Sequence, residues 1–342
     1  MLLGHNRRMV LRLDPRYPLV WRTPDTIQLG IDRPLAVVPG VTAPLENVIS
    51  ALRVGVPRSG ALMLGRQSGA TDAATSALLL ALAPALVDLE SPPAPPAGVP
   101  PALEPVRSRS TPAGRPDSGV RPVVCVDGVG PTADRVRGLL TELDIRVVAT
   151  GTAAERPHRS TRGSGERGTS ERGGSKAGGN DHGGSEPALA VLVDHFVLAP
   201  ERHGRWLRRD VPHLPVVFSD AEVRIGPLVE PGAGPCLTCL EFERVDDDPA
   251  WPAIACQLLH RTAPTETTRL SIEAATTAAG IVHDRVFAAS NEFAAASLAI
   301  DAESLGVRRR AHRPHERCGC RFLPENVIVL AGNAAGFRPR TS

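Results

Sequence analysis

The residues best suited to chemistry are four cysteines in two pairs far apart in the chain. Cys236-Leu237-Thr238-Cys239 closes a Pro/Gly-rich stretch that begins at Gly226, and Cys318-Gly319-Cys320 follows His315-Glu316-Arg317. Thiolates held close by tight turns can share one Zn²⁺ at about 2.3 Å, and a structural site takes four such ligands in a tetrahedron. His315 is an alternate ligand, because a C-x-C pair is cramped and imidazole serves zinc as well as a thiolate does. The competing use is two disulfide-bonded or buried cysteine couples. The sequence carries no secretory signal that would put these thiols in an oxidising compartment, which favours the metal. Four thiolates leave no position open to water, so a structural role is expected rather than a catalytic one. The two other cysteines, Cys125 and Cys256, read as buried apolar fillers.

A second group of residues has the spacing of a nucleotide loop. Val123-Val124-Cys125-Val126 is a short apolar strand, and Asp127-Gly128-Val129-Gly130-Pro131-Thr132-Ala133 leads from it into a helix bearing Val136, Leu139, Leu140 and Leu143. In such a G-x-G-x-x-A turn, Gly128 and Gly130 would let phosphate approach the backbone at a helix N-terminus. The loop is degenerate. Pro131 removes one N–H donor, and the next strand, Ile145 to Val148, is followed by Ala149-Thr150-Gly151 where a ribose site needs an acid.

Ala188 to Val193 is an apolar run of the kind buried on both faces, and it ends in Asp194-His195. An acid at the C-terminal edge of a strand can hold Mg²⁺ or substrate, which makes Asp194 the leading catalytic candidate and Asp127 the second. Their plainer roles are a loop cap and a turn former. Asp246-Asp247-Asp248 looks like a metal cluster, but it precedes Pro249-Ala250-Trp251-Pro252 and reads as a helix N-cap.

The elements that must position these groups fall into segments by composition. The chain has 342 residues, 42% of them hydrophobic and only 3% aromatic, so its cores must be built from Ala, Val, Leu and Ile. The net charge of +2 gives no basic field for nucleic acid, and Lys176 is the only lysine. No apolar run is long enough to span a membrane, so a soluble cytoplasmic protein is expected. Residues 91–121 form a Pro-rich stretch expected to be a disordered linker, and the Gly/Ser/Arg tract 151–187 a disordered insertion within the second domain, 122–342. Residues 1–90 hold three short β-prone runs, Leu19 to Arg22, Thr26 to Gly30 and Leu35 to Val38. Helical repeats follow, at Leu45, Val48, Ile49 and Leu52 and from Thr71-Asp72 through Leu82. A winged-helix-like module is expected, able to accept a peptide as an added strand in the region of Trp21, Ile27, Leu29 and Val37.

Taken together, the G-x-G turn, the strand ending in Asp194, Gly226-Pro227-Leu228-Val229, Pro235-Cys236-Leu237-Thr238-Cys239-Leu240, Asp248-Pro249-Ala250-Trp251-Pro252 and the final Cys-x-Cys resemble the ThiF/MoeB/HesA superfamily of ubiquitin-activating-like adenylyltransferases. More closely, the chain resembles the cyclodehydratase partner proteins of YcaO-type systems, which bind the leader peptides of thiazole/oxazole-modified microcins (TOMM) in bacteriocin biosynthesis. The resemblance implies an α/β fold, with an N-terminal winged-helix-like module followed by a Rossmann-like ThiF-type domain carrying a structural zinc knuckle. It also implies a precursor leader peptide and a YcaO-type protein as partners, and a possible homodimer. Active members hold ATP with an acid after the second strand, an arginine, a lysine and a Mg²⁺-binding aspartate. Of that set only Asp194 fits here, so ATP is not expected as a cofactor, and a non-catalytic partner subunit is the reading preferred to an active adenylyltransferase acting on a peptide or carrier C-terminus. In that alternative Asp194 would hold Mg²⁺ and Arg135 or Arg137 the phosphates.

Overall fold

Short β-prone runs cut by Pro, Asp and Gly turns give small antiparallel sheets, and helices with one apolar stripe close over them. In the computed structural model, which describes residues 10–88, 121–149 and 186–322, the first unit contains β1 (Val10–Leu13), β2 (Leu19–Thr23), β3 (Thr26–Leu29), β4 (Ala36–Val38), α1 (Ala43–Val54), β5 (Val56–Pro57), α2 (Arg58–Ser68), α3 (Asp72–Leu82) and β6 (Leu86–Asp88). The order β2-β3-β4 is the expected meander, with Val20 opposite Gln28 and Gln28 opposite Val37. A second sheet, β5-β1-β6, has its centre in a strand the sequence reading did not foresee. The stripe Leu45, Val48, Ile49 and Leu52 is buried along α1, and the Thr71 hydroxyl accepts the Ala74 N–H at 3.1 Å to cap α3.

The larger unit follows as β7 (Val123–Asp127), α4 (Pro131–Glu142), β8 (Arg146–Ala149), β9 (Leu189–His195), α5 (Pro200–Leu207), β10 (His213–Phe218), β11 (Glu222–Ile225), α6 (Leu237–Asp247), α7 (Trp251–Leu258), α8 (Thr268–Ala288), β12 (Ala296–Asp301) and β13 (Val307–Ala311). Its seven strands run in the order β13-β12-β11-β10-β9-β7-β8; β8, β7, β9 and β10 are parallel, and the other pairings are antiparallel. The fold is thus a mixed α/β one with a Rossmann-like parallel half. Side chains alternate between faces along a strand, and this sorts the core. Val124, Val126, Leu189, Val191 and Val193 join α4 and α8 in the main cluster, while Cys125, Ala190 and Leu192 pack with Trp206 of α5 on the other face. The small residues of α8, Ala275, Ala278 and Ala279, are buried where that helix meets α4. The linker expected over 91–121 and the insertion over 151–187 lie outside the described residues except at 121, 186 and 187. Among the described residues, no helix is long and apolar enough to cross a membrane.

The two units meet through β2 and the loop after β3. Val20 belongs to the core cluster of the larger unit. The Gln257 side-chain amide bonds both the N–H and the C=O of Trp21, at 2.9 and 2.8 Å, and so stands where a neighbouring strand would stand. Arg22 makes a two-pronged bond to Asp248, at 2.7 and 2.8 Å. Asp220, buried, accepts the Ile31 and Asp32 N–H groups, and Asp32 in turn accepts the Ala221 N–H.

Candidate functional site

The Pro/Gly-rich knuckle delivers Cys236 to the N-cap of α6, which puts Cys239 one turn into that helix. The chain returning from β13 brings Cys318 and Cys320 to the same place. All four sulfurs lie within 4.8 Å of one another. Cys236 is 3.8 Å from Cys239 and 3.6 Å from Cys318, and Cys239 is 3.2 Å from Cys320. These separations are well beyond a covalent S–S bond of about 2.05 Å. They sit near the edge of about 3.8 Å for a tetrahedron with metal–sulfur bonds of about 2.3 Å. The cluster is lined by Val229, Leu237, Leu198 and Leu207, an apolar shell around three buried cysteines and the partly buried Cys320. Bonds from Cys239 and Cys320 hold the Cys236 thiol far below its usual pKa. Cys239 is pushed up to about 12, chiefly by its bond to Cys236, and Cys320 is pushed up by its bonds to Cys236 and Cys239. The four thiols thus share their charge and protons, and a soft divalent cation would displace the protons they retain.

His315, the alternate ligand, does not turn its ring toward the sulfurs. Its Nε2 lies 2.8 Å from Asp246, its Nδ1 accepts the Arg317 N–H at 3.1 Å, and its contribution to the cluster is a backbone N–H donated to Cys239 Sγ at 3.3 Å. Such a donor stabilises a thiolate from outside the ligand set. Asp246 thus anchors His315 at the end of α6, and Asp248, the C-cap of α6, accepts the Ala250 N–H at 3.0 Å in the turn before α7; the N-cap of α7 is Ala250, so the N-capping expected of these aspartates is not what they do. Cys125 is buried, and burial pushes its thiol up to about 11. Cys256 is exposed on α7, contrary to its expected burial, because the apolar stripe of that helix runs through Trp251, Ile254 and Leu258.

The glycine loop keeps its backbone shape. A Cβ on Gly128 would lie 2.8 Å from Val193, and Gly130 sits at a φ of +98°, open to glycine and strained for other residues. The space in front of the loop is taken by protein. Glu266, from the segment before α8, accepts the Thr132 N–H at 3.1 Å at the start of α4, and its carboxylate stands 3.4 Å from where a Gly130 Cβ would be. The same carboxylate pairs with His195 Nε2 at 3.4 Å. An internal anion thus satisfies the helix N-terminus that a phosphate would otherwise meet. The two arginines offered to phosphate in the adenylating alternative are engaged as well: Arg135 donates to Ser271 Oγ at 2.9 Å, and Arg137 to Asp134 at 2.8 Å and to the Gly128 carbonyl at 2.6 Å.

Asp194 and Asp127 end adjacent parallel strands and are bridged by one guanidinium. Arg202 pairs with Asp194 and, at 3.1 Å, with Asp127; Arg205 pairs with Asp127 from the other side. The second Asp194 oxygen accepts the His195 N–H at 2.8 Å. Asp194 is therefore a member of an ion-pair network. In the meander, Ile27 and Leu29 are fully buried in the core of the first unit, Trp21 is half-buried against Gln257, and Val37 is 48% exposed on the edge strand β4. Of the residues named for a peptide, Val37 alone faces open solvent to that extent. Sequence reading missed Glu266, Arg202 and Gln257. Glu266 meets Thr132 134 positions away, Arg202 meets Asp127 75 positions away and Gln257 meets Trp21 236 positions away, and no local spacing signals such a pairing.

The chain matches no model of a protein family and no curated protein sequence. Comparison with solved structures finds similar chains. The heterocyclase TruD shares 15% identity at a TM-score of 0.39, with 98% of this chain and 45% of that one covered. A heterocyclase in complex with substrate and cofactor gives 14% identity and a TM-score of 0.42, over 98% of this chain and 42% of that one. The E. coli microcin synthetase McbBCD complex gives 12% and 0.37, over 91% of this chain and all of that one. This chain spans less than half the length of the heterocyclases it matches.

Proposed function

We propose that the chain is a zinc-stabilised, ThiF-like partner protein that takes the leader segment of a precursor peptide as an added strand and presents it to a separate YcaO-type cyclodehydratase, with no ATP chemistry of its own. The observation that carries this reading is the contrast between the two edges of the winged-helix-like module's meander. β2 is closed by the Gln257 amide and by α7, whereas the outer side of β4 pairs with no strand among the described residues and lies beside α3. An edge strand with free main-chain groups next to a helix is the receiving surface for strand addition, where main-chain bonds supply affinity and alternate side chains supply selectivity. The carboxylate of Glu266 at the start of α4 and the bridging of Asp194 by Arg202 support the absence of ATP chemistry, since triphosphate would have to displace an acid and Mg²⁺ a guanidinium. The thiol cluster supports zinc as the structural metal, with Cys236, Cys239, Cys318 and Cys320 as its ligands.

Titration of the full chain with synthetic leader peptides from precursors of azoline-containing peptides tests this reading. Binding should need no ATP, and a proline scan through the leader should weaken it at alternate positions, because every second residue of an added strand directs its N–H to the receiving edge. Uniform loss across the scan, or pyrophosphate exchange with any peptide, would overturn it.

A further inference from the structure

A cavity of about 70 Å³ lies between α6 and the floor formed by β10, β11 and β12, on the sheet face opposite α8. Leu237, Leu240, Glu241 and Arg244 fall at positions i, i+3, i+4 and i+7 of α6, so a single stripe of the helix forms its roof. Allowing about 10–15 Å³ of such space for each water, it has room for on the order of five, far too little for a nucleotide.

The chemistry of its walls is one-sided. Arg244 carries five N–H donors but, among the described residues, makes a single hydrogen bond, to Glu241 at 2.9 Å, and stacks its guanidinium over Trp251. It is deep enough for burial to pull its pKa down to about 10, yet 21% of its side chain remains accessible. The two figures agree if the accessible part faces the cavity. His203, buried on α5, makes no side-chain hydrogen bond among the described residues, and Arg224 Nε makes none either, its nearest acid being Glu222 at 3.7 Å. The acceptors are mostly committed: the Glu241 oxygens go to Arg244 and to Trp251 Nε1, and one Glu243 oxygen goes to His312 with Arg310 nearby. Unused donors and used acceptors call for an incoming group that only accepts.

We propose that this cavity binds a small carboxylate carried on a compact, branched alkyl group. The planar guanidinium of Arg244 presents paired N–H groups that match the two oxygens of a carboxylate, and His203 can donate a further bond. The remaining wall, with Leu198, Leu237 and Leu240, suits three or four aliphatic carbons. The site is separate from the β4 edge and does not depend on the function proposed above. The same end group occurs in a free acid and at the C-terminus of a peptide ending in valine, and the two sources can be told apart.

The test is NMR titration of the reduced full-length chain with carbonyl-labelled isobutyrate, in parallel with isobutyramide, inorganic phosphate and a Gly-Gly-Val peptide with a free or an amidated C-terminus. Saturable isobutyrate binding at millimolar concentration is expected, with at least tenfold weaker binding of isobutyramide and of phosphate. Arg244→Gln should weaken isobutyrate at least tenfold. Leu198→Phe, which fills the apolar side and leaves every cation in place, should do the same, so the idea stays open to refutation if the arginine variant does not fold. Binding of the free-ended peptide as tightly as isobutyrate assigns the site to peptide ends, and its failure to bind assigns it to free acids. Equal binding of the amide, tighter binding of phosphate, or unchanged affinity in Leu198→Phe would overturn the proposal.

Discussion

The cysteine cluster and the glycine loop are both built from short motifs with long-range partners, yet they end in opposite states. At the cluster, two distant pairs converge until four sulfurs lie within 4.8 Å of one another. At the loop, the glycines hold the conformation that phosphate binding requires, and a carboxylate from 136 residues beyond Gly130 fills the place in front of them. Ligand types that need one another, such as four thiols, leave their site incomplete until a cation arrives. A backbone N–H needs only an acceptor, and any acid the fold brings near will serve. Local spacing can therefore reveal a cluster of side-chain ligands more surely than it reveals an open backbone site.

The largest effect expected on this contrast comes from the metal. Metal analysis should give about one equivalent of zinc per chain, and Cys236→Ser or Cys320→Ser should remove it and unfold the region around α6. Metal binding on the order of 10 kcal/mol is folding free energy for a site that does not exist in the unfolded chain. His315→Ala should leave the stoichiometry unchanged, since its ring is turned to Asp246. A metal-free protein with an unchanged Tm would refute the assignment. The next effect belongs to the loop. Glu266→Ala should cost about 1–3 kcal/mol by leaving the Thr132 N–H without its acceptor, and sulfate should restore part of the lost Tm by taking the vacated place. If sulfate stabilises the wild-type and variant chains equally, the loop is not closed by Glu266.

A smaller effect concerns the seam between the units. Burial raises the Asp220 pKa from 3.8 to about 6, with Asp32 beside it. A carboxylate whose folded pKa is raised contributes stability that is full below its unfolded pKa and is lost as pH rises through the folded value. Urea unfolding should thus show a fall in stability between about pH 4 and pH 6 that is absent in Asp220→Asn; a slope shared by both chains would exclude Asp220 as its source. The smallest effect should be that of Cys256→Ser, which removes an exposed thiol and should shift stability by less than about 0.5 kcal/mol, as judged by the same unfolding curves.

Much of the scaffold was legible because it depends on neighbours in sequence. The meander, the stripe of α1, the Thr71 cap and the apolar strand ending in Asp194 all follow from periods of two or 3.6 and from turn residues. β1 and β5 were not read, because two to four residues carry too little pattern to distinguish a strand from a loop, and α6 was hidden because its first turn carries the Cys236 and Cys239 pair. The convergence of the cysteines was legible from their chemistry. The roles of Glu266 with Thr132 and of Arg202 with Asp127 were not, since each rests on tertiary contacts between elements that the sequence gives no reason to pair.

The Gln257 amide on Trp21 has a consequence for assembly. A sheet with two free margins can join copy after copy into a fibre; one with a single free margin can join only one other copy. With β2 capped by a side chain from its own fold, two chains paired β4 to β4 would leave no open margin for a third to extend.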